Sequence, residues 1–303
     1  MSGTVRMRDA VEASSPDPHV DRLARFVRFF CTVMQRPDPL RDADCRESYR
    51  EYVPRYYQRL FGPGVDGLSG RHLEWLERLL PVLDLPPGAT VLDCGGGYGL
   101  DSIFLAACGY DVVFFELTRH HIGVCRYLQG LWEQAFGALR LRCVLAVRSG
   151  GPAERLRANA AAIGAVDAVL LDEVAHHVEP VRDLFALCAA VLPRGGALFL
   201  LEPNFWSPIA QAHFFRTRGL RTVEPRVDEE TGERYRYGNE HIRPRRTWQR
   251  LAADAGFRLR GARYIVPSRT RAPAPARWRT ALQTLPLVKS VAATHVTLHF
   301  EKA

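Results

Sequence analysis

The chain has 303 residues, a formal net charge of +8, 47% hydrophobic residues and 24% charged residues. These values are typical of a globular protein with a full hydrophobic core, and they exclude a largely disordered chain. No apolar run is long enough to span a bilayer. The seven cysteines are scattered along the sequence. They predict reduced thiols in a cytoplasmic protein, because disulfide frameworks and metal sites use ordered cysteine spacings.

Nearly all of the positive charge comes from arginine, since Lys289 and Lys302 are the only lysines. A basic chain raises the question of a nucleic-acid partner. The arginines are spread along the sequence rather than gathered in one patch, so we do not expect nucleic acid to bind.

The first part of the chain has a helical pattern. Apolar residues recur at helical spacing over 20–34, which predicts an amphipathic helix that either packs on the domain or lies on a membrane. Packing is favoured because the helix lacks lysine and its apolar face is that of a helix packed on a hydrophobic core. Another helix is expected over 69–80. The predicted divisions are a disordered N-terminus, a helical cap and a main domain, at residues 1–18, 19–85 and 86–303.

A glycine-rich turn follows the first predicted strand of the main domain. Asp93 ends the strand, and Gly95, Gly97 and Gly99 follow at every second position before a helical pattern begins. Glycines permit positive φ and let a ligand approach the backbone closely. The run resembles motif I of the class I (Rossmann-like) S-adenosylmethionine (SAM)-dependent methyltransferases. The resemblance implies SAM as cofactor, S-adenosylhomocysteine as product, and a doubly wound α/β fold with a seven-stranded, mostly parallel sheet.

The next two strands are expected to hold the adenosine part of SAM. A strand over 111–116 ends in Glu116, whose carboxylate can accept both ribose hydroxyls, and the family motif continues into Leu117. A third strand is expected over 139–147. Many family members place an acid after it, close to the adenine, but this chain has Arg148. We assign Arg148 to the adenine end of the site. The alternative is that another side chain or a backbone group contacts the adenine instead.

A fourth apolar strand over 166–172 ends in Asp172 and Glu173, followed by His176 and His177. A helix, a Pro-Arg-Gly-Gly turn and a fifth strand over 197–201 complete the run. This order resembles that of small-molecule methyltransferases (type 11/12-like). It places Asp172 and Glu173 at the cofactor, because ligands of open α/β sheets bind at the carboxyl ends of the strands.

The chain then leaves the fold pattern over about 203–246. A long connection in a compact domain is either functional or a surface excursion, and we interpret this one as a substrate lid. Two last strands are expected over 257–266 and 293–301. In the family the seventh strand runs antiparallel between the fifth and the sixth.

The resemblance implies in-line (SN2) methyl transfer from SAM to a small acceptor, which we expect to be an oxygen nucleophile of specialised metabolism. A hydroxyl acceptor needs a base. His176 and His177 are the main candidates, and His213 and His241 in the insertion are secondary ones. Tyr57 is expected to close the cap over the methionine end of SAM, unless it only packs in the core. No metal site is predicted.

Three other functions stay open. SAM could assist a rearrangement, elimination or cyclisation without methyl transfer; the chain could methylate RNA; or it could be a catalytically silent subunit. A monomer and a homodimer are both compatible with the sequence.

Overall fold

A seven-stranded sheet forms the centre of the structure, a computed structural model that describes residues 18–34, 68, 70–227, 232, 234–265 and 291–303. Its strands are β1 (Thr90–Cys94), β2 (Asp111–Glu116), β3 (Leu141–Leu145), β4 (Ala168–Asp172), β6 (Ala197–Pro203), β9 (Phe257–Ile265) and β10 (His295–Lys302). The helices of the described ranges are α1 (Pro18–Met34), α2 (Gly70–Leu83), α3 (Leu100–Ala107), α4 (Arg119–Phe136), α5 (Pro152–Ile163), α6 (Val181–Val191), α7 (Pro208–Arg218) and α8 (Arg245–Asp254).

The strand order is β3-β2-β1-β4-β6-β10-β9. The first five strands in this order are parallel, and β10 runs antiparallel to both β6 and β9. The predicted doubly wound sheet is therefore confirmed, including the antiparallel insertion of the last strand. The order reverses between β1 and β4, and this switch point is where such sheets bind ligands.

Both faces of the sheet are covered by helices. Helices α1 to α4 pack on one face, against Val91, Leu170 and Phe199, while α5, α6 and α8 pack on the other face. Because both faces are buried, the central strands are nearly continuous apolar runs rather than alternating ones. Their buried carboxylates, Asp93, Glu116 and Glu202, lie at or near the carboxyl ends, and this directs attention to one edge of the sheet for the candidate site.

Helix α1 uses its apolar stripe for packing. Leu23, Phe26 and Phe30 are fully buried. The ring of Phe26 lies 5.6 Å from that of Trp75 on α2 and 5.2 Å from that of Phe104 on α3. Burying each large side chain contributes about 1.5–3 kcal/mol. This face of α1 is occupied by the domain and is not available to a membrane.

The insertion after β6 contains regular secondary structure in its described residues. It forms α7 and a hairpin of β7 (Val223–Val227) and β8 (Arg234–Gly238). Strand β8 also pairs with β5 (Val178–Glu179), a two-residue strand that directly follows His177, to give a second sheet of order β5-β8-β7. The hairpin is thus attached to the segment that leaves β4.

Some predictions differ from the structure or lie outside the described residues. Strand β3 is shorter than expected, and helix α5, which begins with Pro152 and ends before Gly164, was not predicted. The disordered N-terminus and Tyr57 fall in ranges that are not described. In the described part of the chain, no helix combines the length and the apolar character needed to cross a bilayer.

Candidate active site

The glycine-rich turn joins β1 to α3 at the switch point. Gly95, Gly97 and Gly99 all have positive φ, of 76°, 58° and 79°. The N–H of Gly95 donates to the Phe115 carbonyl (2.8 Å), which fixes the turn to β2. A Cβ atom at Gly97 would meet no described atom within 4 Å. The turn is therefore open at Gly97, whereas Gly95 and Gly99 pack closely against the Val174 and Cys125 side chains.

Asp93 lies beneath this turn and is fully buried. Its Oδ2 accepts a hydrogen bond from Ser102 Oγ (2.6 Å), while its Oδ1 has no partner among the described residues. A Cβ atom at Gly96 would lie 2.3 Å from Asp93 Oδ2, so this fourth glycine, which the sequence analysis did not single out, makes room for the carboxylate. Burial raises the pKa of Asp93 to about 7, against the hydrogen bond from Ser102.

Further carboxylates surround Arg78, a residue of α2 that the sequence analysis also missed. Its guanidinium pairs with Asp172 Oδ1 and lies 3.2 Å from Glu173 Oε1. Asp101 on α3 accepts a hydrogen bond from Trp75 Nε1 (2.6 Å). Burial raises the pKa of Asp172 to about 7 despite Arg78, and it raises the pKa of Asp101 to about 6.

Glu173 differs from these acids. Its backbone is in the left-handed region, with φ of 55°. Burial would raise its pKa, but Arg78 and the His295 hydrogen bond (2.6 Å) hold the pKa well below its ordinary value. In the described residues of this cluster, Arg78 therefore faces more carboxylate charge than it neutralises. Such an edge favours a positively charged ligand.

Glu116 stands at the end of β2, next to the turn. Its side chain is 9% exposed, and its two oxygens contact the Leu117 N–H (3.0 Å) and His121 Nδ1 (2.8 Å). Each carboxylate oxygen has a second lone pair, so both can still accept from a hydroxyl. Leu117 is half exposed beside it. Arg148 follows β3 at the same edge and is partly buried.

His176 and His177 follow β4 in a one-turn 3₁₀ helix (Ala175–His177). His176 is 3% exposed and lies between two carboxylates: Nδ1 contacts Glu202 Oε2 (2.7 Å), and Nε2 is 3.4 Å from Glu240 Oε2. Burial would lower its pKa, but these acids outweigh burial and raise the pKa to about 10. At this pKa the His176 imidazole keeps its proton at neutral pH, which argues against His176 as the base.

His177 has the opposite character. Its Nδ1 lies 3.0 Å from the Gly238 carbonyl and 2.8 Å from the Tyr237 hydroxyl. Because that carbonyl can only accept, the proton belongs on Nδ1, and Nε2 carries the lone pair. Burial and the neighbouring His176 lower its pKa. With its side chain 30% exposed, His177 can meet a substrate.

Of the other candidates, His213 lies on α7, which has no buried residue, and His213 itself is exposed. Tyr57 lies outside the described residues. Glu240 and Glu202 were not predicted, because they come from a connecting loop and from β6, and only the fold brings them to the histidines.

This combination of fold and site defines a class I SAM-dependent methyltransferase. The chain belongs to the family described as "Methyltransferase domain", whose sequence profile matches residues 49–261. Accordingly, its cofactor is SAM.

The curated relatives include O-methyltransferases. A ubiquinone biosynthesis O-methyltransferase of Bordetella avium is 28% identical over 198 residues, 65% of this chain and 68% of that enzyme. One from Xanthomonas campestris is 32% identical over 118 residues, 39% of this chain and only 44% of that enzyme. A shorter stretch of 58 residues is 40% identical to a SAM-dependent Diels–Alderase of Neonectria sp., covering 19% of this chain and 24% of that protein.

Among solved structures, a Haloferax volcanii methyltransferase in complex with a methyltransferase activator has a TM-score of 0.51 and 12% identity. The match covers 86% of this chain and 98% of the other. At that identity the likeness concerns the fold alone.

The residues at the switch point fit SAM. Asp93 offers a buried oxygen without a described partner, and the cluster around Arg78 carries excess negative charge. The sulfonium and ammonium groups of SAM are positive, and its ribose hydroxyls require an acceptor such as Glu116. The turn leaves space for a ligand at Gly97.

Proposed function

We propose that the enzyme methylates an oxygen atom of a small acceptor that binds between the end of β4 and the insertion. The observation that carries this proposal is the state of His177: its Nδ1 is engaged by the Gly238 carbonyl, which leaves the Nε2 lone pair at a partly exposed position. A hydroxyl acceptor must lose its proton on methylation, and a nitrogen with a lone pair there serves that need. The O-methyltransferase relatives support an oxygen acceptor.

In this proposal Asp93, the glycine turn and Glu116 hold SAM, which supplies an activated methyl group. Gly95, Gly97 and Gly99 present backbone to the methionine part, and Glu116 with Leu117 takes the ribose side. Arg148 borders the adenine end. The charge around Asp172 and Glu173 orients the cationic groups, and correct orientation lowers the barrier by holding the reactants in line.

The insertion acts as the lid. Strand β8 is fixed to β5 directly after the histidines, so the hairpin lies against the acceptor side of the site. A cover in this position excludes water from the reacting atoms. A hairpin held over the site in this way suits a small acceptor, and we extend the proposal to an acceptor of specialised metabolism.

The experiment that tests methyl transfer is the mass of the product. Acceptor hydroxyl compounds incubated with enzyme and SAM are expected to gain one methyl group, with release of one S-adenosylhomocysteine for each methyl transferred. The short match to a Diels–Alderase supports a second candidate, in which SAM assists a cyclisation. That candidate predicts a product without an added methyl group and no S-adenosylhomocysteine.

RNA methylation predicts instead an RNA affinity that falls with rising salt concentration.

Asp93→Ala and Glu116→Ala are each expected to weaken SAM binding by about tenfold to a hundredfold, since a lost hydrogen-bonding partner costs about 1–3 kcal/mol. Isothermal titration calorimetry with SAM gives the affinities, and circular dichroism confirms folding. Asp167→Ala is the matched control, because Asp167 lies at the opposite end of β4, where its carboxylate accepts from the Thr90 N–H (2.8 Å). Affinities equal to wild type for both site variants would remove Asp93 and Glu116 from the cofactor site.

The SAM affinity is also expected to rise with pH. The native pKa of Asp93 is about 7, above its unfolded value, so the free protein loses stability as the pH rises towards 7. SAM is cationic and favours the ionised carboxylate, whose fraction increases from pH 5.5 to 7; the affinity should increase about tenfold. The groups that face Asp93 are Ser102, Asp172, Glu116 and Asp101. Asp93→Asn should flatten the dependence, and an unchanged slope in that variant would contradict the assignment.

A further inference from the structure

The two histidines and Glu240 form a cluster that methyl transfer alone does not require. One atom from each of His176, His177 and Glu240 lies within 4.8 Å of the others. Glu240 Oε2 is 3.4 Å from His176 Nε2, and Glu240 Oε1 is 4.0 Å from His177 Nε2. Ligand atoms held at about 2.1 Å around a tetrahedral ion are separated by about 3.4 Å. The distance from His176 Nε2 to Glu240 Oε2 has this value, and the three ligand atoms, all within 4.8 Å of one another, would have to approach by about 1.4 Å at most to coordinate one ion.

Both imidazoles are already oriented by their other nitrogen. Nδ1 of His176 contacts Glu202 Oε2 (2.7 Å), and the second oxygen of Glu202 accepts from the Ala175 N–H (2.8 Å). Nδ1 of His177 contacts the Gly238 carbonyl (3.0 Å). A carboxylate or a carbonyl on the distal nitrogen is the usual support of a metal-binding histidine, because it fixes the ring and directs Nε2 to the ion.

The backbone is built to bring Glu240 to the histidines. Gly238 lies so close to the turn that a Cβ atom there would be 2.2 Å from the His176 carbonyl oxygen. The N–H of His241 donates to that same carbonyl (3.1 Å), and Glu240, between these two residues, has a φ of 51°. A non-glycine residue in the left-handed region costs free energy and is found where surrounding structure holds it for a purpose.

We infer that His176, His177 and Glu240 bind a divalent transition-metal ion of the zinc type through the two Nε2 atoms and one carboxylate oxygen. Two imidazoles and a carboxylate are a donor set that suits Zn²⁺, with a fourth position left for an oxygen ligand. The side chains of His177 and Glu240 are 30% and 26% exposed, so that position is accessible, while His176 closes the buried side at 3%.

The role of the ion rests on the proposed function. The fourth position is on the side of the acceptor, and a hydroxyl oxygen bound there would lose its proton to solvent more readily, because the ion stabilises the oxyanion. Both Nε2 atoms must be deprotonated for coordination, so the ion takes the place of the proton that His176 otherwise shares with Glu240. The ion would replace His177 as the group that makes the acceptor nucleophilic.

The test is direct binding of Zn²⁺ to the metal-free 303-residue chain, by isothermal titration calorimetry and elemental analysis, with Co²⁺ as a spectroscopic probe. We expect one ion per chain and the visible absorption of four-coordinate Co²⁺. Glu240→Gln and His177→Gln should each weaken Zn²⁺ binding at least about tenfold. His213→Gln, which removes an exposed histidine from α7, should leave the affinity unchanged.

Substoichiometric binding by wild type, or equal affinity in both cluster variants, would overturn the inference. SAM binding by each variant shows that the variant is folded. Because two cluster variants are measured, the test still holds if one of them does not fold. The ion and the reaction can also fail separately. Chelator-treated enzyme that methylates at the full rate rejects the role of the ion in the reaction and leaves the methyltransferase proposal intact. Enzyme that binds Zn²⁺ but transfers no methyl to any hydroxyl rejects the oxygen acceptor and leaves the ion site intact.

Discussion

His177→Ala is expected to lower kcat by about a hundredfold or more while the SAM affinity stays within about twofold of wild type. Removing a group that assists proton loss from the acceptor typically costs 10²–10⁴ in rate. The side chain is 30% exposed and its ring stacks on Tyr237 with a centroid separation of 5.2 Å, so its loss leaves the core intact. Single-turnover methyl transfer at saturating SAM measures the effect. The expected loss is the same whether Nε2 takes the proton itself or coordinates an ion.

Two matched variants separate this role from packing. Tyr237→Phe keeps the stacked ring and removes only the hydroxyl that contacts Nδ1 (2.8 Å); its rate should fall by less than about tenfold. His176→Ala leaves Glu202 buried without its ion-pair partner, which should cost about 3 kcal/mol of folding free energy. Turnover by His177→Ala at the wild-type rate would exclude a catalytic role for this histidine.

The sheet was predictable because its signals are local. A strand that ends in Asp93, glycines at every second position and a second strand that ends in Glu116 each follow from a few consecutive residues. Their order along the chain then defines the topology, because parallel strands with helical crossovers have few arrangements. The carboxyl ends converge at one edge, so a pattern dispersed in sequence predicted a common site.

Helix α5 was missed because its pattern is weak. Only Ile163 is fully buried along its 12 residues, so apolar periodicity gives little signal. Its ends were nevertheless marked, by Pro152 in the first turn and Gly164 after the last residue, which are ordinary helix boundary signals.

The partners of the site residues could not be predicted at all. Arg78 reaches Asp172 from α2, and Glu240 reaches His176 from the loop after β8. The sequence separation within each pair does not predict the contact, because the contacts depend on how α2 and the insertion pack against the sheet. The same contacts decide the charge of the site: Arg78 lowers the pKa of Glu173, and Glu202 with Glu240 raises that of His176.

Arg78→Ala is expected to destabilise the protein by about 3 kcal/mol at pH 8. Breaking a buried ion pair from one side leaves an uncompensated carboxylate, which costs about 3–5 kcal/mol. Asp172 is only 7% exposed and would lose the full contribution of the ion pair. Glu173 is 33% exposed, so solvent stabilises part of its charge, and we therefore take the lower end of this range. Urea denaturation followed by circular dichroism gives the free energy of unfolding. Arg263→Ala is the control. It removes an exposed ion pair (2.7 Å) between Arg263 on β9 and Glu77, which lies on α2 like Arg78, and it should cost less than about 1 kcal/mol.

The pH dependence distinguishes loss of charge from loss of packing. Arg78 depresses the native pKa of Glu173 below its unfolded value, so this pair loses its stability only as the pH falls below that unfolded value. Between pH 8 and pH 5 the groups that titrate are instead Asp172 and Asp101, whose pKa values are about 7 and about 6. Without Arg78, protonation removes the repulsion among Asp172, Glu173 and Asp101, and the variant should regain part of its deficit between pH 8 and pH 5. A deficit that is equal at both pH values would mean that the guanidinium acts through packing, and the excess negative charge proposed to attract SAM would lose its support.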